Sequence, residues 1–437
     1  MATTSEVIVT AAVNVTTISP SRPIPSNWRE SASYWWSTTE KESSISQERL
    51  LHRLPFFSSS PDASQPDPST EINVNDLKAK VVGKLSRYEL DTPERFLNQF
   101  AITPITPVEK GKAPPPTVVL HGYAAGLGFF LLNFQALGEW VAKRGGSVYA
   151  LDWLGMGLSA RVPFKIHAKR DDIEQRVREA EDFFLDALEE WRARNGFDTI
   201  TLVGHSLGGY LSVAYTLRYP NRVARLILIS PVGVPRNPNA TDAAIQQAAS
   251  AATIGSTSDS SVKANPNVVP NATPQMALVR KLWVYGWEAG WTPFQVVRSI
   301  GFLAPLFVAR YTNRRMKSLA DQDARNINDY MYHISRAKGS GEYCISHLLA
   351  PGAYARLPLV DRIDQVNVPT TFVYGDADWM DSKGGAECVR KMHAAGNTDV
   401  KNVVIPKAGH HVYLDNPDAM NELLAEELDK TVPGLNF

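Results

Sequence analysis

The sequence predicts an α/β fold: a mostly parallel sheet with helices on both faces and a helical cap insertion. Three observations point there. From about Pro116, short apolar runs alternate with amphipathic helical stretches, the pattern of strands buried on both faces. After Ile229 the alternation stops, a long helical stretch intervenes, and strand signals resume at Thr370. Between one strand signal and the next helix lies Gly204-His-Ser206-Leu-Gly208, the spacing of a nucleophile on a tight strand-to-helix turn.

Residues 1–87 read as an N-terminal extension, partly disordered. Ser, Thr and Pro dominate it, and Ser58 to Ser69 is linker-like. An aromatic island interrupts it at Trp28, Tyr34, Trp35 and Trp36. That island either packs on the main body or anchors at a membrane interface, where Trp and Tyr are favoured. Residues 88–235 form the first part of the core. Its strands are Thr117 to Leu120, Ser147 to Leu151, Thr199 to Val203 and Leu226 to Ile229. Its helices are Leu131 to Lys143, Asp172 to Arg194 and Leu207 to Arg218. Residues 236–355 form the cap. They begin with a flexible loop, 237–274, and continue as helix broken at Pro293 and Pro305. Residues 356–437 complete the core with strands Thr370 to Tyr374 and Asn402 to Ile405 and a final helix, Asp418 to Lys430.

The 437 residues carry 45 Lys+Arg and 45 Asp+Glu, so the chain lacks the basic footprint of a nucleic-acid binder. Two cysteines, Cys344 and Cys388, are too few for a disulfide scaffold or a four-thiolate zinc site, and a reduced intracellular setting is expected. No apolar run approaches the roughly 18 residues of a membrane span. No basic residue precedes the apolar stretch Val7 to Val15, so no secretory signal is expected. Abundant Ser and Thr with sparse acids give a weak mitochondrial signal there.

The nucleophile is Ser206, lifted above the sheet at a helix N-terminus. A Ser nucleophile needs a base and an orienting acid, which follow late strands in that chain order acid, then His. Gly375-Asp376-Ala-Asp378-Trp-Met-Asp381 follows one late strand; Gly409-His410-His411 follows the next. His410 is assigned as base, with His411 its neighbour. Asp378 is assigned as acid, with Asp381 the rival. The oxyanion hole is assigned to the backbone N–H groups of Leu207 and Tyr123. His121 and the Asp152-x-x-Gly155-x-Gly157 turn are read as structural. No metal or organic cofactor is needed for this chemistry.

Together, His121-Gly122, Gly204 to Gly209, Gly375 to Asp378 and Gly409-His410 resemble the α/β-hydrolase superfamily over about residues 88 to 437. Tyr330-Met-Tyr332-His333, Ser340-Gly341-Glu342 and Ala408-Gly-His410-His-Val-Tyr-Leu-Asp415 narrow it. These look like the lipid-active subfamily that contains fungal mitochondrial cardiolipin-specific deacylase, animal N-acyl-phosphatidylethanolamine lipase and a lipid-droplet co-activator of triglyceride lipase. The co-activator lacks the nucleophilic Ser that this chain keeps, so the resemblance implies an active enzyme. Implied are a carboxylic ester hydrolase of membrane phospholipids, with cardiolipin as substrate, and a mitochondrial setting. The subfamily also carries His-x4-Asp, here His410 and Asp415, which gives lysophosphatidic acid acyltransferase as the alternative. A non-catalytic lipid-binding co-activator is the third reading.

Trp283, Trp287, Trp291 and Phe294 are spaced as one helical stripe in the cap, either packing its core or lining an acyl tunnel. The partners expected are a phospholipid and a membrane surface, with no nucleic acid and no obligate protein partner. Peripheral membrane binding through the two aromatic clusters follows.

Overall fold

The computed structural model describes residues 20–39, 41–58, 77–109, 111–236, 284–316 and 319–435. The expected loop 237–274 and Trp283 lie outside them, as do residues 1–19. Nine strands are described: β1 Phe57–Ser58, β2 Val81–Glu89, β3 Phe96–Pro104, β4 Thr117–Leu120, β5 Val148–Leu151, β6 Ile200–His205, β7 Val223–Ile229, β8 Thr370–Gly375 and β9 Val400–Ile405. They form one sheet in the order β1-β2-β3-β5-β4-β6-β7-β8-β9. The β2–β3 and β3–β5 pairs are antiparallel and the others are parallel.

Each central strand buries both faces, and alternate residues enter opposite layers. Val118, Leu202 and Leu228 pack with helices α4 (Ile173–Arg194) and α5 (Leu207–Arg218). Val119, Val203 and Ile227 pack on the other side with α3 (Phe134–Arg144) and the last helix, α10 (Pro417–Asp429). This is the two-layer cover the apolar runs predict. The extension boundary drawn at residue 87 falls inside β2, because the sheet begins earlier than the sequence suggests. The half-exposed, mixed residues of β2, one strand in from the sheet's edge, give no apolar run to read.

Two helices precede the sheet, α1 (Trp28–Ser37) and α2 (Glu42–Leu51). Among the described residues the longer cap helices after β7 are α6 (Pro293–Ser299), α7 (Ala304–Arg315) and α8 (Asp321–Arg336). Pro293 and Pro305 do not break helices; each sits in a first turn, where a missing N–H costs nothing. The proposed Trp stripe is not one helical face. The chain turns at Gly290 (φ 79°), which leaves Trp291 exposed while Phe294 is buried on the next helix.

The N-terminal helices clasp the cap. The Ser31 hydroxyl donates to the Phe302 carbonyl (2.7 Å) and accepts from the Leu306 N–H (2.9 Å). Buried Asp329 on α8 accepts from the Tyr34 hydroxyl and pairs with Arg49. Tyr34 is buried while Trp28, Trp35 and Trp36 stay exposed, so the island both packs on the body and presents indoles outward.

Candidate active site

Strand order builds the site. β4 and β6 are neighbours, with Leu120 level with Gly204, yet their chains leave toward different helices. Loops at the carboxyl ends of such strands diverge and open a crevice. His121-Gly122 therefore lies against Ser206: a Cβ on Gly122 would come within 3.0 Å of Ser206 Cβ.

Ser206 sits at φ 52°, ψ −112°, a conformation that costs a non-glycine residue of order 1–3 kcal/mol. Crowding enforces it. A Cβ on Gly208 would meet the Leu120 carbonyl oxygen at 2.5 Å, and one on Gly204 would meet the Gly208 oxygen at 2.5 Å. Only glycine fits either place, so the spacing predicted from sequence has a steric cause.

The Ser206 hydroxyl lies 3.1 Å from His410 Nε2, and His410 Nδ1 lies 3.1 Å from Asp378 Oδ1. The Asp378 side chain is buried, and its loop is tightened by the Met380 N–H donating to the same Oδ1 (3.0 Å). Burial pushes the Asp378 carboxyl up, but the hydrogen bond and charge of His410 outweigh it, and the net direction is down. The carboxylate therefore stays ionised beside the imidazole. Its second oxygen, Oδ2, is buried, and the Ser230 hydroxyl helps lower the carboxyl. Sequence reading missed Ser230, whose left-handed backbone (φ 47°) after β7 has no signature beyond a Ser-Pro step.

The rival acids have other duties. Asp381 caps the helix α9 (Ser382–Ala394) by accepting from the Lys383 N–H (2.9 Å). Asp376 accepts from the Ala408 N–H (3.1 Å) and ties the two late loops together. Asp415 Oδ2 accepts from the Gly409 N–H (2.9 Å), bracing the loop that carries His410. The Leu207 and Tyr123 N–H groups donate to no backbone or side-chain acceptor among the described residues. Leu207 N–H is a first-turn helix donor, free for an oxyanion. The Tyr123 ring packs on Phe294 of the cap, 5.7 Å between centroids.

His121 and Asp152 are scaffold, as expected. His121 Nε2 accepts from the Trp153 N–H (3.1 Å), and Asp152 accepts from the Leu127 and Leu158 N–H groups (2.6 and 2.8 Å), fixing the loop after β4. His205, which sequence reading passed over, lies 3.0 Å through Nε2 from the His410 carbonyl oxygen. His411 stacks on Phe129 at 6.2 Å. Burial, then the nearby His410 charge, lowers both: His205 well below its ordinary value and His411 to about 3.

Their depressed values set a pH window. The unfolded imidazoles take protons below about pH 6.5 while the folded ones refuse them. The unfolded state then binds more protons, so stability falls as pH drops from about 6.5 toward about 3. Thermal denaturation is expected to show Tm falling from about pH 7 to about pH 5, and His411→Phe is expected to shrink that fall. An equal fall in the variant would remove His411 from the cause.

A family model described as "alpha/beta hydrolase fold" matches residues 115–417. A probable 1-acylglycerol-3-phosphate O-acyltransferase of Oryza sativa subsp. japonica is 32% identical over 80% of this chain and 73% of its own. A 1-acylglycerol-3-phosphate O-acyltransferase of Arabidopsis thaliana is 33% identical over 69% of this chain; the match spans 64% of that protein. A (lyso)-N-acylphosphatidylethanolamine lipase of Mus musculus is 29% identical over 81% of this chain and 90% of its own. With the elbow, the late-strand His and Asp, and the cap in their places, the chain belongs to the alpha/beta hydrolase fold family, among its lipid-active members.

Proposed function

We propose that this protein removes an ester-bound acyl chain from a membrane glycerophospholipid through an acyl-enzyme on Ser206, with cardiolipin the substrate carried over from the family resemblance. The observation that carries this reading is the continuous chain Ser206–His410–Asp378 beside two unused backbone donors. Ser206 Oγ attacks the ester carbonyl while His410 Nε2 takes its proton. The carbonyl oxygen, now anionic, accepts from the Leu207 and Tyr123 N–H groups. His410 returns the proton to the departing glycerol oxygen; water, activated by the same imidazole, then frees the fatty acid. Asp378 holds the imidazole's orientation and balances its charge. The mitochondrial setting belongs to the cardiolipin reading and stands with it.

Acyl transfer to lysophosphatidic acid is the second reading, favoured by the names of the two plant relatives. It needs no new machinery if a lipid hydroxyl replaces water at the second step. Asp415, bonded to the Gly409 N–H, acts in either reading by positioning the His410 loop. Lipid mass spectrometry on the purified protein, given mixed phospholipids, lysophosphatidic acid and acyl-CoA, tests both. Free fatty acid with lysolipid, lost in Ser206→Ala, is the expected result. Dominant phosphatidic acid formation, lost in Asp415→Ala but kept in Ser206→Ala, would overturn it.

The reading also places the protein at a membrane surface. Among the described residues no helix is long and apolar enough to cross one, and the net charge is zero. The support lies in the exposed Trp28, Trp35 and Trp36 of α1, whose Ser31 is bonded to the exposed Phe302 turn of the cap. Two or three such rings, at about 1.5–3 kcal/mol each on full burial, suffice for reversible adhesion. Liposome co-sedimentation is expected to survive added salt and to weaken in the Trp35→Ala, Trp36→Ala double variant. Release by salt alone would replace apolar insertion with an electrostatic contact.

A further inference from the structure

Arg176, in the first turn of α4, is only 6% exposed. The two other arginines buried this deeply among the described residues each bond a carboxylate: Arg192 meets Glu189 at 2.6 Å and Arg225 meets Glu427 at 2.7 Å. Among the described residues Arg176 makes no ion pair. Its Nη1 donates to the Arg170 carbonyl (2.8 Å) and its Nε faces His347 Nδ1 at 3.5 Å. A second half-enclosed guanidinium, Arg356, stands close enough to disfavour the Arg176 charge. Arg356 spends the nearby carboxylate, Glu288, at 2.7 Å. Glu288 also favours the Arg176 charge, but two guanidiniums share it, and an anion from outside would offset the cost of burying the second.

The neighbouring imidazole suits the same guest. Burial, then the Arg176 and Arg356 charges, lower His347 to about 4, so it is neutral near pH 7. With Nδ1 turned to Arg176, its proton sits on Nε2, a donor. The titratable groups facing this junction are Arg170, Arg176, Arg356, Glu179 and Glu288, an excess of one positive charge.

Its position relates it to Ser206. Five residues along α4, Glu181 accepts from the hydroxyl of Tyr210, which lies one turn after Ser206 on α5. The helical rise sets Arg176 about 7.5 Å from that level, on the side where α4 begins. We propose that the junction of Arg176, Arg356 and His347 binds a phosphate group, either that of a lipid headgroup or inorganic phosphate. Only the headgroup source rests on the phospholipid reading above.

The test uses the full chain. Thermal denaturation in inorganic phosphate is compared with chloride at matched ionic strength, for the natural protein and Arg176→Gln. Phosphate is expected to raise the natural protein's Tm saturably and to leave the variant's unchanged. In parallel, KM is measured for lysophosphatidic acid and for the monoacylglycerol of the same chain. Arg176→Gln is expected to raise the first about 10- to 100-fold, the loss of a charge-assisted contact, and to spare the second. Phosphate stabilisation lost in the variant with both KM values unchanged supports the site with free phosphate as its guest. If neither lipid turns over, the thermal comparison alone decides the site, and the catalytic reading is decided separately on diacyl phospholipid. If Arg176→Gln does not fold, Arg176→Lys takes its place, keeping the charge but losing the planar fork, with a weakened phosphate response expected. No stabilisation beyond chloride, or an equal response in the folded variant, overturns the proposal.

Discussion

Ser206→Ala is expected to lower ester cleavage by about six orders of magnitude and to abolish labelling by a fluorophosphonate. The effect is this large because the whole covalent route depends on one oxygen. Without Oγ, His410 Nε2 loses its 3.1 Å partner, and water must attack the ester with only the backbone donors to help. The fold should be indifferent. Alanine at φ 52° bears the same backbone strain as serine, and Gly204 and Gly208 still clear the turn. Near-identical Tm with lost labelling is therefore the expected pair of readings. Equal labelling of both folded proteins would remove Ser206 as nucleophile.

Asp378→Asn should cost about four orders of magnitude in kcat, whereas Asp381→Asn should leave the rate near that of the natural protein. An amide at 378 can donate toward His410 Nδ1, which favours the tautomer carrying its proton on Nε2. That tautomer has no lone pair left for the Ser206 proton. Position 381 only caps α9, and asparagine caps a helix about as well as aspartate. Rates on a soluble ester, measured beside Tm, check the contrast. The reverse ranking would move the acid to Asp381, its rival from the sequence.

Why the parallel strands were legible and the edge was not has a physical explanation. A strand covered on both faces is mostly apolar, so β4, β6, β7 and β8 announce themselves as short runs rich in apolar residues. Next to the edge, β2 mixes buried, half-exposed and exposed residues without a sustained period, and the two-residue edge strand β1 is too short to carry a pattern. In the site, Ser206, His410 and Asp378 follow strands and glycines, and these punctuate the chain visibly. His205 and Ser230 act through a backbone carbonyl and a buried carboxylate far off in sequence, so no local spacing marks them. The Trp stripe misled because periodicity assumes one continuous helix, and Gly290 turns the chain between its members.

The clasp at Asp329 has a consequence for the newborn chain. Tyr34 meets a partner 295 residues downstream. At a synthesis rate of about 5–20 residues per second, α1 waits roughly 15–60 s on the ribosome before the aspartate that holds it exists. For that interval Tyr34 has only Arg22 of its own segment over its ring, and Arg49 waits on the same carboxylate. A segment made long before the cap is thus secured only with it. Its sticky face is presented to whatever lies beside the exit tunnel, chaperone or bilayer, well before the enzyme can act.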